Sequence, residues 1–176
     1  MQPVRICITA PFAPPEPGSQ LVVFADEKNY TAEYDSPRLI SRAAKYAKRH
    51  GVFLVPQRFI VEDYLCMCLF GPDGVPLGVQ RALYLNLTYR GVFHRFDRQT
   101  VIDTPFGGVY LAVDVDINYP QAVRCAVGAG ARLIVASQFI QLFDFFEERL
   151  RFGSVSAALA GGVPVVSATN AGSGVV

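Results

Sequence analysis

The chain has 176 residues, of which 51% are hydrophobic and 18% are charged, with a formal net charge of +1. A chain of this length can bury a substantial core, and this composition excludes an intrinsically disordered protein. The near-neutral charge gives no indication of binding to nucleic acid or to an anionic membrane.

The N-terminal part of the chain predicts three buried strands and one helix. Val4–Ala10, Leu21–Phe24 and Val52–Ile60 are short apolar runs of the buried-strand type. The proline-rich segment Pro11–Ser19 predicts an extended loop. Asp35 to Gly51 predicts a helix, because a polar cap and a proline open it and a glycine ends it.

The middle of the chain predicts a hairpin followed by two more strands. Tyr64–Phe70 and Val75–Tyr84 flank Gly71-Pro72-Asp73-Gly74, a sequence typical of a tight turn. Val101–Asp103 predicts a short strand and Val109–Val115 a longer one. Strands therefore outnumber helices in this region, and some of them are antiparallel.

The last third of the chain alternates helices and apolar strands. Pro120 to about Gly128 and Ile140–Arg151 predict helices, and Ser154–Ala160 predicts a further turn or two. Leu133–Ala136 and Val163–Ala168 predict fully apolar strands. Helices leading into such strands indicate sheets covered by helices on one face. With no repeat or linker in the sequence, residues 1–176 are expected to form one domain.

The cysteines and histidines show no metal-binding pattern. The chain has four cysteines, Cys7, Cys66, Cys68 and Cys125, and two histidines, His50 and His94. None of the cysteines has CxxC spacing and the histidines are isolated, which argues against a zinc site. We expect buried free thiols, with Cys66 and Cys68 on one side of a strand. We expect no signal peptide, no membrane-spanning segment and a location in the reducing cytoplasm.

A specific pattern of motifs lies between Val101 and Ser137. It contains Asp103-Thr104-Pro105-Phe106-Gly107, a strand leading to Asp116, then Pro120, a helix, and Gly130-Ala131 before an apolar strand. In this order and spacing the stretch resembles the nitrilase (carbon–nitrogen hydrolase) family. That family has Asp-Thr-Pro-Phe-Gly, a strand ending in Cys-x-Asp, Pro-Glu, a helix, and Gly-Ala before a strand.

The resemblance extends over most of the chain. Leu21–Phe24 is similar to the strand that carries the family's Pro-Glu, and Phe70–Leu85 to its hairpin and lysine-bearing strand. Thr169–Ser173 resembles its late Asn-x-Gly segment, as in the apolipoprotein N-acyltransferase branch. The resemblance implies an α-β-β-α sandwich in reduced form, because Pro11–Ser19 stands in place of the first helix and the chain stops at Val176, before the family's C-terminal elements.

The resemblance also implies a degenerate catalytic site. Family members attack an amide or nitrile with a cysteine, helped by a glutamate base and a lysine. Here the cysteine position is Asp114, the lysine position is Ala82, and the glutamate position is Asp26 or Glu27. Arg81 is expected to face away from the site, and the Pro-Glu after the nucleophile has become Pro120-Gln121.

Three functional hypotheses follow. The first is a pseudoenzyme that acts in binding or assembly, with Asp114, Asp116 and Asn118 as candidate binding residues. The second is an amide hydrolase that uses an acidic cluster, with or without Mg²⁺ or Ca²⁺. The cluster would form because Asp114 and Asp116 are expected on one face of a strand, near Asp26 or Glu27. The third is a decayed gene product. If no metal binds, Asp116 is expected to orient the loop before Pro120. No cofactor is expected.

Partners are also implied by the resemblance. A small amide-like ligand and a homodimer are expected, the latter through the helix after Pro120 and the helix that ends at Arg151. The phenylalanine-rich segment Phe139–Phe152 is expected to face mainly the core, with a role in a protein interface as the alternative. Cys125 is also expected in the core. Tyr84–Arg98 is expected to be a solvated loop.

Overall fold

The computed structural model describes residues 3–25, 30–139, 146–170 and 173–176, with the backbone alone for 146–150. The predicted acid at Asp26 or Glu27 lies outside the described residues. So does the beginning of the helix predicted from Ile140.

The first sheet contains the N-terminal strands and the predicted hairpin. Its strands are β1 (Ile6–Thr9), β2 (Leu21–Phe24), β3 (Phe53–Val55), β4 (Phe59–Val61), β5 (Tyr64–Phe70) and β6 (Pro76–Arg81). Their order is β1-β2-β3-β5-β4, with β6 also paired to β5. The first three strands are parallel, whereas β5 runs antiparallel to β3, β4 and β6. All four residues of β2 are buried because the sheet is covered on both faces.

Helix α1 (Ser36–His50) connects β2 to β3. Its apolar residues Leu39, Ala43 and Ala47 follow the helical period and are buried. The helix ends at Gly51, which has a φ of 61°. A glycine takes this left-handed conformation at little cost, so the predicted end of the helix is confirmed.

The second sheet is formed by the C-terminal half of the chain. Its strands are β7 (Val101–Ile102), β8 (Gly108–Val113), β9 (Ala131–Gln138), β10 (Val165–Thr169) and β11 (Gly174–Val175), in the order β11-β10-β9-β8-β7. β8, β9 and β10 are parallel to one another, and both edge strands are antiparallel. Helices α2 (Pro120–Gly128) and α3 (Phe146–Gly161) lie between these strands in the sequence.

Three clusters of buried side chains define the layers. The central cluster lies between the sheets and includes Met67 of the first and Leu111 and Val135 of the second. A second cluster joins α1 to the outer face of the first sheet, and a third joins α2 and α3 to the outer face of the second. The chain is therefore an α-β-β-α sandwich, as predicted. Residues 10–20 contain no helix, in agreement with the expected reduced form.

Several predicted boundaries differ from the structure, and three of the differences concern a break in a strand, the end of β8 and the extent of α3. Val52–Ile60 is not one strand: Pro56-Gln57-Arg58 separates β3 from β4, since proline cannot donate to a sheet ladder. β8 ends at Val113 rather than Val115, and a 3₁₀ helix, Asp114–Asn118, follows it. Asp114 and Asp116 therefore do not lie on a strand. α3 is one continuous helix where two helical segments were predicted.

The burial of the cysteines and of the loop after β6 agrees only in part with the predictions. Cys66 and Cys68 are buried in the same cluster on one side of β5, as predicted. Cys125 is exposed, so the prediction of a core cysteine is wrong. Tyr89 and Phe93 pack into the central cluster, so the solvated-loop interpretation holds for only part of that segment.

Phe152, which ends the phenylalanine-rich segment, is 65% exposed, contrary to the expected core position. Among the described residues, no helix has both the length and the hydrophobicity that a membrane span requires.

Candidate functional site

Asp114 lies at a sharp bend where β8 meets the 3₁₀ helix. Its φ of 52° places it in the left-handed region. Few residues other than glycine adopt this conformation, although aspartate and asparagine tolerate it better than most. The side chain is buried, yet it forms part of the wall of a cavity of about 780 Å³. The bend thus presents one carboxylate to a cavity at the end of a buried strand.

Arg58 forms a buried ion pair with Asp114. Its Nη1 lies 2.7 Å from Oδ1 of Asp114, and the two side chains are 0% and 4% exposed. Asn86 donates from Nδ2 to the other oxygen, Oδ2, over 3.1 Å. Both carboxylate oxygens therefore accept hydrogen bonds from protein side chains. The sequence reasoning missed Arg58 and Asn86; the signal for the first was an arginine inside the apolar run Val52–Ile60.

Gln138, the last residue of β9, contacts the same bend from the neighbouring strand. Its Nε2 donates to the backbone carbonyl oxygen of Asp114, which supports the left-handed conformation there. Its Oε1 is buried and has no hydrogen-bond partner within the part of the chain that the structure describes. Gln138 follows the motif-bearing stretch Val101–Ser137, and the sequence analysis did not single it out.

Asp116 anchors a different segment. Its Oδ1 accepts hydrogen bonds from the backbone N–H groups of Leu83 (3.1 Å) and Tyr84 (2.8 Å). Burial raises the pKa of Asp116 to about 8, against the lowering effect of its backbone hydrogen bonds. The carboxyl group does not line the cavity. It holds the chain just beyond β6, whereas the sequence predicted a role before Pro120.

The position predicted to replace the lysine carries no charge and lies in the core. Ala82 is fully buried in the central cluster, directly after β6. Its neighbour Arg81 pairs with Glu62 over 3.0 Å and lies 4.4 Å from the centre of the Tyr64 ring. Arg81 is thus occupied at a partly exposed surface, in agreement with the expectation that it does not replace the lysine. The cation at Asp114 is Arg58.

The cavity has a volume of about 780 Å³, within the usual range for small-molecule sites. Its polar lining includes Asp114, Asn86, Gln138 and the exposed side chain of Asn118. Apolar side chains form much of the remaining wall: Leu85, Ile117, Val123, Phe139, Phe152 and Ala157. The structure thus places two of the three predicted binding residues, Asp114 and Asn118, at one cavity.

The acidic residues do not form a metal site within the described residues. No group of three or more histidine, cysteine, aspartate or glutamate side chains there could hold an ion. Asp114 is held by a guanidinium and an amide, and Asp116 by backbone N–H groups. Hard cations need several oxygen ligands, and these two carboxylates are engaged with protein donors.

Comparisons with known proteins agree with this architecture. The carbon-nitrogen hydrolase family model matches residues 1–175. A carbon-nitrogen hydrolase from Helicobacter pylori G27 superimposes with a TM-score of 0.75 at 20% identity, covering 88% of this chain. The match spans 62% of that protein, less than two thirds of its length.

Two further solved structures are similar. An amidase from Nesterenkonia sp. has a TM-score of 0.80 at 17% identity, covering 98% of this chain and 82% of its own. A variant of the Nesterenkonia sp. AN1 amidase in complex with butyramide has a TM-score of 0.81 at 18% identity, with the same coverage. No curated protein sequence matches the chain.

Proposed function

The chain belongs to the carbon-nitrogen hydrolase family, and from that premise we propose that it binds a small ligand without cleaving it. The observation that carries this proposal is the buried ion pair of Asp114 with Arg58, at the position that the family motif gives to the nucleophilic cysteine. We propose further that residues 1–176 form one domain that retains the cavity but not the catalytic chemistry.

A carboxylate in this setting is a poor nucleophile toward amides. It cannot form the thioester that a cysteine forms, and pairing with a guanidinium stabilises its charge and so reduces its reactivity. Ala82, at the motif's lysine position, cannot stabilise a tetrahedral oxyanion. Because nucleophile, base and lysine act as a unit, loss of the nucleophile alone lowers the rate by orders of magnitude.

Binding remains physically reasonable because the cavity combines a buried polar end with an apolar wall. We also propose self-association into a homodimer through α2 and α3. Phe152 and Leu159 of α3 are 65% and 80% exposed, and covering such side chains stabilises an interface. Light scattering tests this proposal, and a monomer over the whole accessible concentration range would contradict it.

Ammonia release from butyramide and related amides and nitriles tests the proposal that the chain does not cleave its ligand. We expect no release above the buffer rate from the wild-type chain. A matched Cys125→Ser variant removes the one thiol found exposed among the described cysteines. Turnover that alkylation of a cysteine abolishes would overturn the proposal. Turnover that survives alkylation but is lost in a folded Asp114→Asn variant would instead establish hydrolysis by the carboxylate.

A further inference from the structure

Gln138 carries an acceptor that nothing in the described chain satisfies. The residue is 5% exposed and lines the cavity, and its Oε1 is buried without a hydrogen-bond partner among the described residues. Buried polar atoms in folded proteins are normally paired, and an exception in a cavity wall indicates a missing donor. A bound ligand that brings an N–H group would supply that donor.

The side-chain amide donors at this end of the cavity already have partners. Nε2 of Gln138 donates to the backbone oxygen of Asp114, and Nδ2 of Asn86 donates to its carboxylate. The polar end therefore offers the amide oxygen of Gln138 and the carboxylate of Asp114 as hydrogen-bond acceptors. A ligand carbonyl placed here would lose its hydrogen bonds to water and find its nearest donors engaged.

The charges near the cavity favour a cation at the same end. Arg58, the partner of Asp114, is fully buried and is not one of the residues that line the cavity. Arg90 also lines the cavity, but it is exposed to solvent, which screens its charge. Of these two charged groups in the cavity lining, the buried carboxylate of Asp114 therefore contributes more strongly to the electrostatic potential in the cavity than the exposed guanidinium of Arg90 does.

The rest of the cavity fits an apolar tail. The apolar lining includes Phe139, Phe152 and Val123, together with the small residues Ala157 and Ala160 of α3. Small residues at successive turns of a helix leave room for a ligand chain, and the surrounding side chains remove it from water.

We propose that the cavity binds a primary alkylammonium, with its –NH₃⁺ group directed to Oε1 of Gln138 and the carboxylate of Asp114. An ammonium has three donors and no acceptor, which matches the unpaired Oε1 of Gln138 and the carboxylate of Asp114. It is also compact enough to approach a buried oxygen. This inference rests on the proposed binding function, and it replaces the amide-like ligand that the family resemblance implied.

The test is isothermal titration calorimetry of the full chain with n-butylammonium, butyramide and butyrate. We expect saturable binding of n-butylammonium, with the amide and the carboxylate at least about tenfold weaker, because a hydrogen bond to a charged group is the stronger kind. Lengthening the alkyl tail is expected to tighten binding by about fourfold per methylene until the cavity is filled.

Three variants separate the parts of this argument. Gln138→Leu removes the acceptor and is expected to weaken n-butylammonium about tenfold or more. Ala160→Phe fills the apolar end from an exposed helix position, so it tests the tail even if the first variant does not fold. Leu77→Ala, an exposed position of β6 outside the cavity lining, is the control and is expected to leave the affinity unchanged.

The outcomes distinguish this inference from the proposed function. Butyramide binding tighter than n-butylammonium, or no binding of either, would overturn the ammonium assignment. Equal affinity for all three ligands would overturn it as well. Ammonia release from butyramide is measured separately, so hydrolysis would overturn the non-catalytic proposal whatever the amine does. An affinity that Gln138→Leu leaves unchanged in a folded protein would remove the assigned contact.

Discussion

Replacing Arg58 by methionine is expected to destabilise the protein by about 3–5 kcal/mol, because it removes the positive charge from a buried carboxylate. At the 2.7 Å separation of Nη1 and Oδ1, the direct attraction at an effective dielectric constant of about 20 is on the order of 6 kcal/mol. Desolvation of both groups offsets much of this attraction in the intact pair. The loss is therefore larger when one charge remains than when both are removed.

A double-mutant cycle measures the pairing directly. Asp114→Asn keeps a side chain that tolerates the left-handed backbone, so the charge changes without added strain. We expect Arg58→Met and Asp114→Asn each to lose several kcal/mol, and the double variant to recover about 2 kcal/mol or more of the summed loss. If Arg58→Met alone does not fold, a folded double variant would still show that removing both charges costs less than removing one.

The assay is urea unfolding followed by far-ultraviolet circular dichroism, since the chain has no tryptophan for fluorescence. The control is Arg81→Met, which breaks the exposed pair with Glu62 and is expected to cost about 1 kcal/mol or less. Strict additivity in the Arg58–Asp114 cycle, or a loss from Arg58→Met as small as that from Arg81→Met, would refute the reasoning.

Three further predictions concern residues around the cavity. Burial raises the pKa of folded Asp116 from 3.8 to about 8, so the contribution of this group to the free energy of unfolding is present in full below pH 3.8 and falls as the pH rises toward 8. Asp116→Asn should flatten this fall, and parallel curves for the two proteins between about pH 5 and pH 8 would contradict it. Gly153→Ala would place a Cβ 2.2 Å from Oδ1 of Asn118, but this side chain is exposed and can move away. Because alanine favours a helix more than glycine does, unfolding experiments should show a gain of up to about 1 kcal/mol in stability. A clear loss would mean that Asn118 is held in place. Alkylation of the native protein by iodoacetamide should modify Cys125 first, because the other three cysteines are buried and burial raises the pKa of Cys66 to about 11. Two or more rapidly formed adducts in the mass spectrum would contradict this prediction.

Local patterns in the sequence predicted the layers of the fold well. Leu21–Phe24 is a continuous apolar run, and it forms a strand of the predicted length because both of its faces are covered. The helix from Ser36 to His50 ends where Gly51 can adopt a positive φ. These features depend on neighbours along the chain, so the sequence carries them directly.

The contacts of the candidate site could not be predicted in the same way. Arg58 reaches Asp114 across 56 residues, and Asp116 bonds to N–H groups 32 and 33 residues earlier. The alternation of side chains along a strand predicted that Asp114 and Asp116 share a face, but that argument applies only while the strand continues. β8 ends one residue before Asp114, and apolar periodicity does not mark that end.

The conformation of Asp114 connects its identity to the presence of Arg58. A residue with a φ of 52° at the end of a buried strand is costly for most side chains, and aspartate is one of the few that lower this cost. An aspartate at this position, however, brings a charge into an environment where it is 3% exposed. Arg58 and Asn86 compensate that charge with direct hydrogen bonds. A paired carboxylate therefore stabilises the strained backbone at this bend, and the proposed binding function without catalysis depends on that pairing.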